Sequence, residues 1–307
     1  MLKPPALRPG DRIAVVAPAS PFDRDEFDNG IAELERLGFQ PFYDESVFAR
    51  DAYVAGPAAL RREALRRAWQ NPSVAGVVAV RGGYGSVQAL PWLSVEEIAE
   101  TPKVFVGYSD LTTILTHLTI NCGLVCFHGP MLDRRLSRGE QGYDRQSFLN
   151  CLTRPEPAGE LTAPGLEILK AGDAEAPLYG GTLTQLVASL GTPYAFRPSG
   201  PYVLFLEDVG ERPYRLDRMM TQLRLSGALD QAVGVVIGEL LNCDEPGGSP
   251  TGRATMADLL RDFPGPVVFG FPSGHTSHPL VTLPLGVRVR VAAHAEPRLI
   301  VEEAAVE

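Results

Sequence analysis

Continuous apolar runs and helix-spaced apolar stripes take turns along the first half of the chain. Residues 12–17 (RIAVVA), 75–80 (AGVVAV), 104–106 and 124–127 lack the alternation of a half-exposed strand, so they predict strands buried on both faces. Between them, Phe27, Ile31 and Leu34 fall at helical spacing over 25–37, with Gly38 as the stop. Leu60, Ala64, Leu65 and Ala68 form one stripe over 58–70. A short strand is expected near 40–43, and the helix after 104–106 carries Leu111, Ile114, Leu115 and Leu118. Apolar strands alternating with amphipathic helices predict β-α units. The expected fold is α/β, with a flavodoxin-like or Rossmann-like parallel sheet covered on both faces.

Residues 153–178 interrupt this rhythm with four prolines and several charges, and predict a linker. Beyond it the texture changes. Helices are expected over 182–190 and 215–225, and strands over 202–206, 233–237 and 267–271. Over 287–291 apolar residues alternate with arginine, which suits a half-exposed strand. The expected organisation is an N-terminal α/β domain over 1–152, a linker over 153–178 and a smaller C-terminal mixed α/β domain over 179–307. A chain of 307 residues is long enough for two cores, since single cores stop growing at roughly 250–300 residues.

Charge narrows the partners. Lys and Arg total 28 against 37 Asp and Glu, a net charge of −9, which argues against a nucleic-acid binder. No apolar stretch approaches a membrane span, and the opening MLKPPALRPGDR has no apolar core of a secretory signal. The four cysteines, Cys122, Cys126, Cys151 and Cys243, have no metal-site spacing and suit reduced, buried thiols. A cytoplasmic protein with a small-molecule or peptide partner is expected.

In a parallel sheet, ligands bind outside the carboxyl ends of the strands. The strand at 75–80 runs into Arg81-Gly82-Gly83-Tyr84-Gly85-Ser86, a turn whose glycines allow close backbone approach and an anion nest. It reads equally as a tight strand-to-helix turn. Gln88 breaks G-x-G-x-x-G, and no Lys-Ser/Thr pair follows, so a nucleotide loop is disfavoured. The strand at 104–106 runs into Gly107-Tyr108-Ser109-Asp110, a partial nucleophile elbow with Leu111 where glycine is usual. Either Ser109 or Asp110 also serves as a plain helix cap. A serine nucleophile at a helix start would have free N–H groups beside it for an oxyanion.

Such a serine needs a base oriented by a carboxylate. Of five histidines, His275 follows a strand end in PSGHTSHP and His128 follows one in FHGP. His117 sits inside a helix, and His278 and His294 lie in polar surroundings. His275 and His278 form H-x-x-H without an acidic third ligand at helical spacing, so no metal is expected. Glu207 and Asp208 end the strand YVLFL and are equally placed for the carboxylate.

Together these segments resemble the LD-carboxypeptidase family of serine peptidases. The similarity runs through RPGDRIAVVAPAS, VRGGYGS, VGYSDLT, FHGPM, GGTLTQL, LFLEDVGERPYRLDRMMTQL and GFPSGHTSHPLVTLPLG, from about residue 8 to 286. The resemblance implies a cleft between two domains and a Ser-Glu-His triad: Ser109 as nucleophile, Glu207 as carboxylate and His275 as base. It implies backbone N–H groups of Gly83 and Asp110 as oxyanion donors. Arg81, Tyr84 and His128 are expected to contact substrate, with Arg81 holding a carboxylate. No cofactor or metal is implied.

The implied activity is removal of terminal D-Ala from murein tetrapeptides in cell-wall recycling, with a homodimer as the associated assembly. A related branch cleaves peptidyl-nucleotide antibiotics of the microcin C type for self-immunity. The short chain and FHGPM are more similar to the murein branch. A non-catalytic two-domain ligand-binding protein is the alternative that composition and strand pattern permit.

Overall fold

Apolar runs with no polar face are stable as strands only where both sides are covered, and the first half supplies that cover with its own helices. The computed structural model describes residues 1–90, 94–161 and 163–307. Strands β1 (Arg12–Val16), β2 (Gln40–Phe42), β3 (Val74–Ala79), β4 (Val104–Gly107) and β5 (Cys126–His128) are parallel, in the order β5-β4-β3-β1-β2. Helix α1 (Arg24–Arg36) starts on the Asp23 side chain, which accepts from the N–H groups of Asp25 and Glu26, and it buries Phe27 and Leu34. Helix α2 (Ala58–Gln70) buries Leu65, Ala68 and Trp69. A short α3 (Val95–Glu100) opens on a capping box between Ser94 and Glu97. After β4, a 3-10 turn over Ser109–Leu111 leads into α4 (Thr112–Thr116), which widens to a π turn over His117–Asn121.

The second half opens with α5 (Arg145–Thr153) and then builds its own sheet. Its strands are β6 (Gly159–Leu161), β7 (Glu167–Lys170), β8 (Gly172–Thr182), β9 (Tyr202–Glu207), β10 (Ala232–Gly238), β11 (Val267–Phe271), β13 (Arg288–Ala293) and β14 (Arg298–Val301). Their order is β6-β14-β13-β8-β9-β10-β11-β7, parallel from β8 to β11 and antiparallel outside. Helices α6 (Leu183–Ser189), α7 (Pro213–Leu225) and α8 (Gly252–Leu259) complete it.

Residues 153–178 are not a linker. Apart from residue 162, which lies outside the described residues, they hold β6, β7 and the first part of β8. Strands β6 and β7 are the short edge strands of the sheet, where charge is tolerated; Pro155, Pro157 and Pro164 fall outside the strands, and Pro177 lies within β8. A further strand, β12 (Leu283–Leu285), crosses back to pair antiparallel with β5 of the first sheet. One apolar core runs from the first sheet onto the second through Val203, Phe205, Val236, Val268 and Phe271, so the two units share packed surface. No helix among the described residues is long and apolar enough to cross a membrane.

Candidate active site

The cleft between the two sheets has a volume of about 500 Å3. The first unit contributes Arg81, Gly83, Ser109 and Asp110 to its walls, and the second contributes Asp208 and His275.

Ser109 follows β4 with a φ of +63°, in the left-handed region. A non-glycine residue held there costs on the order of 1–3 kcal/mol and persists only where the surroundings impose it. Gly82 makes room for it: a Cβ at that position would lie 2.9 Å from Ser109 Cβ and 3.1 Å from its Oγ. Only glycine lets the two turns approach this closely. Asp110 ties them together. Its buried Oδ2 accepts from the Ser86 N–H at 2.8 Å, and the Ser86 hydroxyl donates to its carbonyl at 2.7 Å. Burial pushes the Asp110 carboxyl upward, while the bonds from Ser86 pull it back. The N–H of Asp110 lies in the first helical turn, where helix geometry provides no intrahelical acceptor.

Glu207 ends β9 with no exposed surface. Its Oε2 accepts from His275 twice, from Nδ1 at 2.8 Å and from the backbone N–H at 2.9 Å, and its Oε1 accepts from the Thr182 hydroxyl. Burial opposes ionisation of this carboxyl, but the facing imidazole and these bonds bring it down to about 2. The approach requires Gly274: a Cβ there would lie 2.5 Å from Glu207 Cδ, and φ is +78°. Burial by itself would depress the His275 imidazole. The charge and hydrogen bond of Glu207 overturn that effect and raise it. An ionised carboxylate only accepts, so Nδ1 carries the proton and Nε2 is the unprotonated nitrogen of the neutral ring.

Asp208, equal to Glu207 by spacing, does different work. Its Oδ2 accepts from the N–H and hydroxyl of Thr184 in α6, both at 2.8 Å, and its Oδ1 from the Val209 N–H. Burial first, and neighbouring Glu207 second, push its carboxyl up to about 6.

The residues expected to contact substrate divide. Arg81 lines the cleft and pairs with Asp133 at 3.3 Å. His128 is fully buried and absent from the cleft wall; its Nδ1 meets the Ser273 hydroxyl at 3.0 Å and burial lowers it to about 4. Its position at the end of β5 suggested access, but β12 and the ring of Tyr108 cover it. Tyr84 stands outside the cleft lining, 44% exposed against Tyr53. Among the described residues no three His, Cys, Asp or Glu side chains form a metal-holding group.

Two arginines that sequence reasoning passed over hold the frame. Arg135 belongs to the first unit, yet its guanidinium donates to the carbonyls of Gly274 (2.9 Å) and Thr276 (3.0 Å), on either side of His275, and lies over the Tyr108 ring. Arg61, buried in α2, donates to the carbonyls of Gly56 (3.0 Å), Pro18 (2.7 Å) and Gly85. Neither sits at a strand end, and arginines inside charged segments carry no sequence signal of such a role. Thr182 had one: a hydroxyl closing a strand in GGTLTQL.

Sequence comparison agrees over most of the chain. The LD-carboxypeptidase N-terminal domain profile matches residues 13–129, and the corresponding C-terminal domain profile matches 175–291. A Bacillus subtilis protein named "Probable murein peptide carboxypeptidase" is 32% identical over 308 residues, covering 98% of this chain and 94% of that protein. The Escherichia coli microcin C7 self-immunity protein MccF is 27% identical over 304 residues, covering 90% of this chain and 88% of that protein. Among solved structures, a muramoyltetrapeptide carboxypeptidase from Oxalobacter formigenes superposes with a TM-score of 0.81 at 30% identity, covering 94% of this chain and 98% of that one.

Proposed function

Because the chain belongs to the LD-carboxypeptidase family, we propose that it is a serine carboxypeptidase that releases terminal D-Ala from murein tetrapeptides in cell-wall recycling. The observation that carries this reading is the buried Glu207–His275 pair opening onto the same cleft as a strained Ser109.

In the proposed mechanism, Ser109 Oγ attacks the carbonyl carbon of the L-residue while His275 Nε2 takes its proton. Glu207 holds Nδ1–H and stabilises the imidazolium. The N–H groups of Gly83 and Asp110 receive the oxyanion, each worth roughly 3–4 kcal/mol. As the tetrahedral intermediate collapses, the C–N bond breaks and His275 passes its proton to the leaving amine. Water, deprotonated by the same imidazole, then splits the acyl-enzyme and restores Ser109. In this reading the enzyme works in the cytoplasm, with which four buried, unpaired thiols agree, and as a homodimer, which sedimentation would test.

The decisive assay incubates the protein with murein tetrapeptide and measures free D-Ala, with Ser109→Ala alongside. Turnover should fall on the order of 10⁴-fold in the variant. Undiminished turnover would remove Ser109 as the nucleophile. A peptidyl-nucleotide cleaved in place of the tetrapeptide would move the protein to the self-immunity branch.

A further inference from the structure

We propose that Tyr53 and Tyr84 form a stacking subsite for the sugar ring at the amino end of a muramoyl peptide; this deepens the murein reading and rests on it. The two rings meet with centroids 5.7 Å apart and planes tilted by 59°, which makes an open aromatic corner. They are 65% and 44% exposed. Each ring offers an apolar face with a hydroxyl at its end, the combination that favours Tyr at binding surfaces.

The corner is built rather than incidental. Tyr53 stands at the tip of a tight turn in which Asp51 and Val54 exchange two backbone hydrogen bonds, with Ala52 forced to a φ of +50°. The Ser20 hydroxyl donates to the Tyr53 carbonyl at 2.9 Å and accepts from the Tyr84 N–H at 3.1 Å, so one side chain sets both arms. Buried Arg61 fastens the same segments through Pro18, Gly56 and Gly85. Rings fixed before binding lose little freedom on contact.

The location fits as well. Chain order reverses between β1 and β3, and the segments after these two strands carry Ser20 and Tyr84. This is the switch point at which α/β sheets receive ligands. Tyr84 lies two residues past Gly82, which packs on Ser109. With about 3.8 Å per Cα step, the Tyr84 backbone lies within about 8 Å of Gly82. Three extended residues upstream of the scissile bond span about 10 Å. A tetrapeptide cut before its last residue is therefore long enough to carry its amino end, and any sugar attached there, towards these rings. The flat apolar face of a pyranose suits an aromatic face, and the phenol hydroxyls suit its hydroxyl groups.

The test is calorimetry on the Ser109→Ala protein, which separates binding from turnover. Muramoyltetrapeptide should bind about tenfold more tightly than bare tetrapeptide. Adding Tyr53→Ala or Tyr84→Ala should shrink that ratio to about twofold or less, whereas Tyr53→Phe should keep most of it. Equal affinities in the Ser109→Ala protein overturn the proposal. So does a ratio that survives both alanine variants, or an advantage shown only by an adenine-bearing peptide. Failure of the wild-type protein to release D-Ala strikes the proposed activity and leaves this binding ratio readable.

Discussion

Two Glu–His pairs stand side by side at the carboxyl ends of neighbouring strands. Glu207 meets His275 Nδ1 at 2.8 Å, and Glu239, just after β10, meets His278 Nδ1 at the same distance. Hydrogen-bond geometry does not tell them apart; their surroundings do. The side chains of Glu207 and His275 are 0% and 22% exposed, and the imidazole lines the cleft beside Ser109. The His278 side chain is 52% exposed and lies outside the cleft lining. In water such a pair is screened and worth little. Glu239 spends its remaining capacity on the loop, accepting from the Thr276 hydroxyl and from the N–H (3.0 Å) and hydroxyl (2.7 Å) of Ser277. The loop bearing His275 thus hangs between Glu239, which takes its donors, and Arg135, which feeds its carbonyls. In the proposed mechanism the first pair moves a proton, while the second holds the loop.

The largest expected effect comes from Glu207→Gln, which should cut kcat/KM by about 10³–10⁴-fold. In the wild type, the raised His275 should place the ascending, acid-side limb of activity above the usual imidazole value near 6.5, because the base works only when deprotonated. Without Glu207 that inflection should move down, and a pH–rate profile reads both changes. An unmoved inflection would show that Glu207 does not act through His275. Glu207 also predicts acid sensitivity. Its folded pKa is depressed, so its contribution to stability is present above the unfolded value and lost as pH falls from about 4.5 towards about 2. Thermal melts across that window should show a loss that Glu207→Gln lacks.

Next in size, Arg135→Gln should lower kcat by about 10²-fold with little change in KM, because a base displaced by an ångström is a poor one. Arg135→Lys should recover only part of it, since one ammonium cannot reproduce the fork that reaches both carbonyls. Glu239→Gln keeps one acceptor and should cost about tenfold or less in kcat. If it proves as damaging as Glu207→Gln, burial is not what separates the two pairs. Smallest of all, His278→Ala should change kcat by less than about twofold, as expected of an exposed side chain outside the cleft. A larger loss would put His278 into the chemistry.

Elements whose burial is periodic were legible from the residues alone. Residues 58–70 are helical as their stripe required; 104–106, 202–206 and 267–271 lie on strands, and the run at 75–80 falls on β3, shifted one residue to 74–79. The turns after buried strands were legible too: the Ser109 turn follows β4 of the first sheet, and the Glu207 and His275 turns follow β9 and β11 of the second. Periodicity reports only how an element is covered, so the short, partly covered edge strands at 159–161 and 167–170, which show no clear period, were read as linker. Tertiary structure alone set Glu207 against His275 and Asp208 against Thr184, joined Arg135 to carbonyls about 140 residues further on, and closed β12 onto the first sheet. Those contacts join residues far apart in the chain, and what selects them is which buried polar groups must find partners once both sheets have packed.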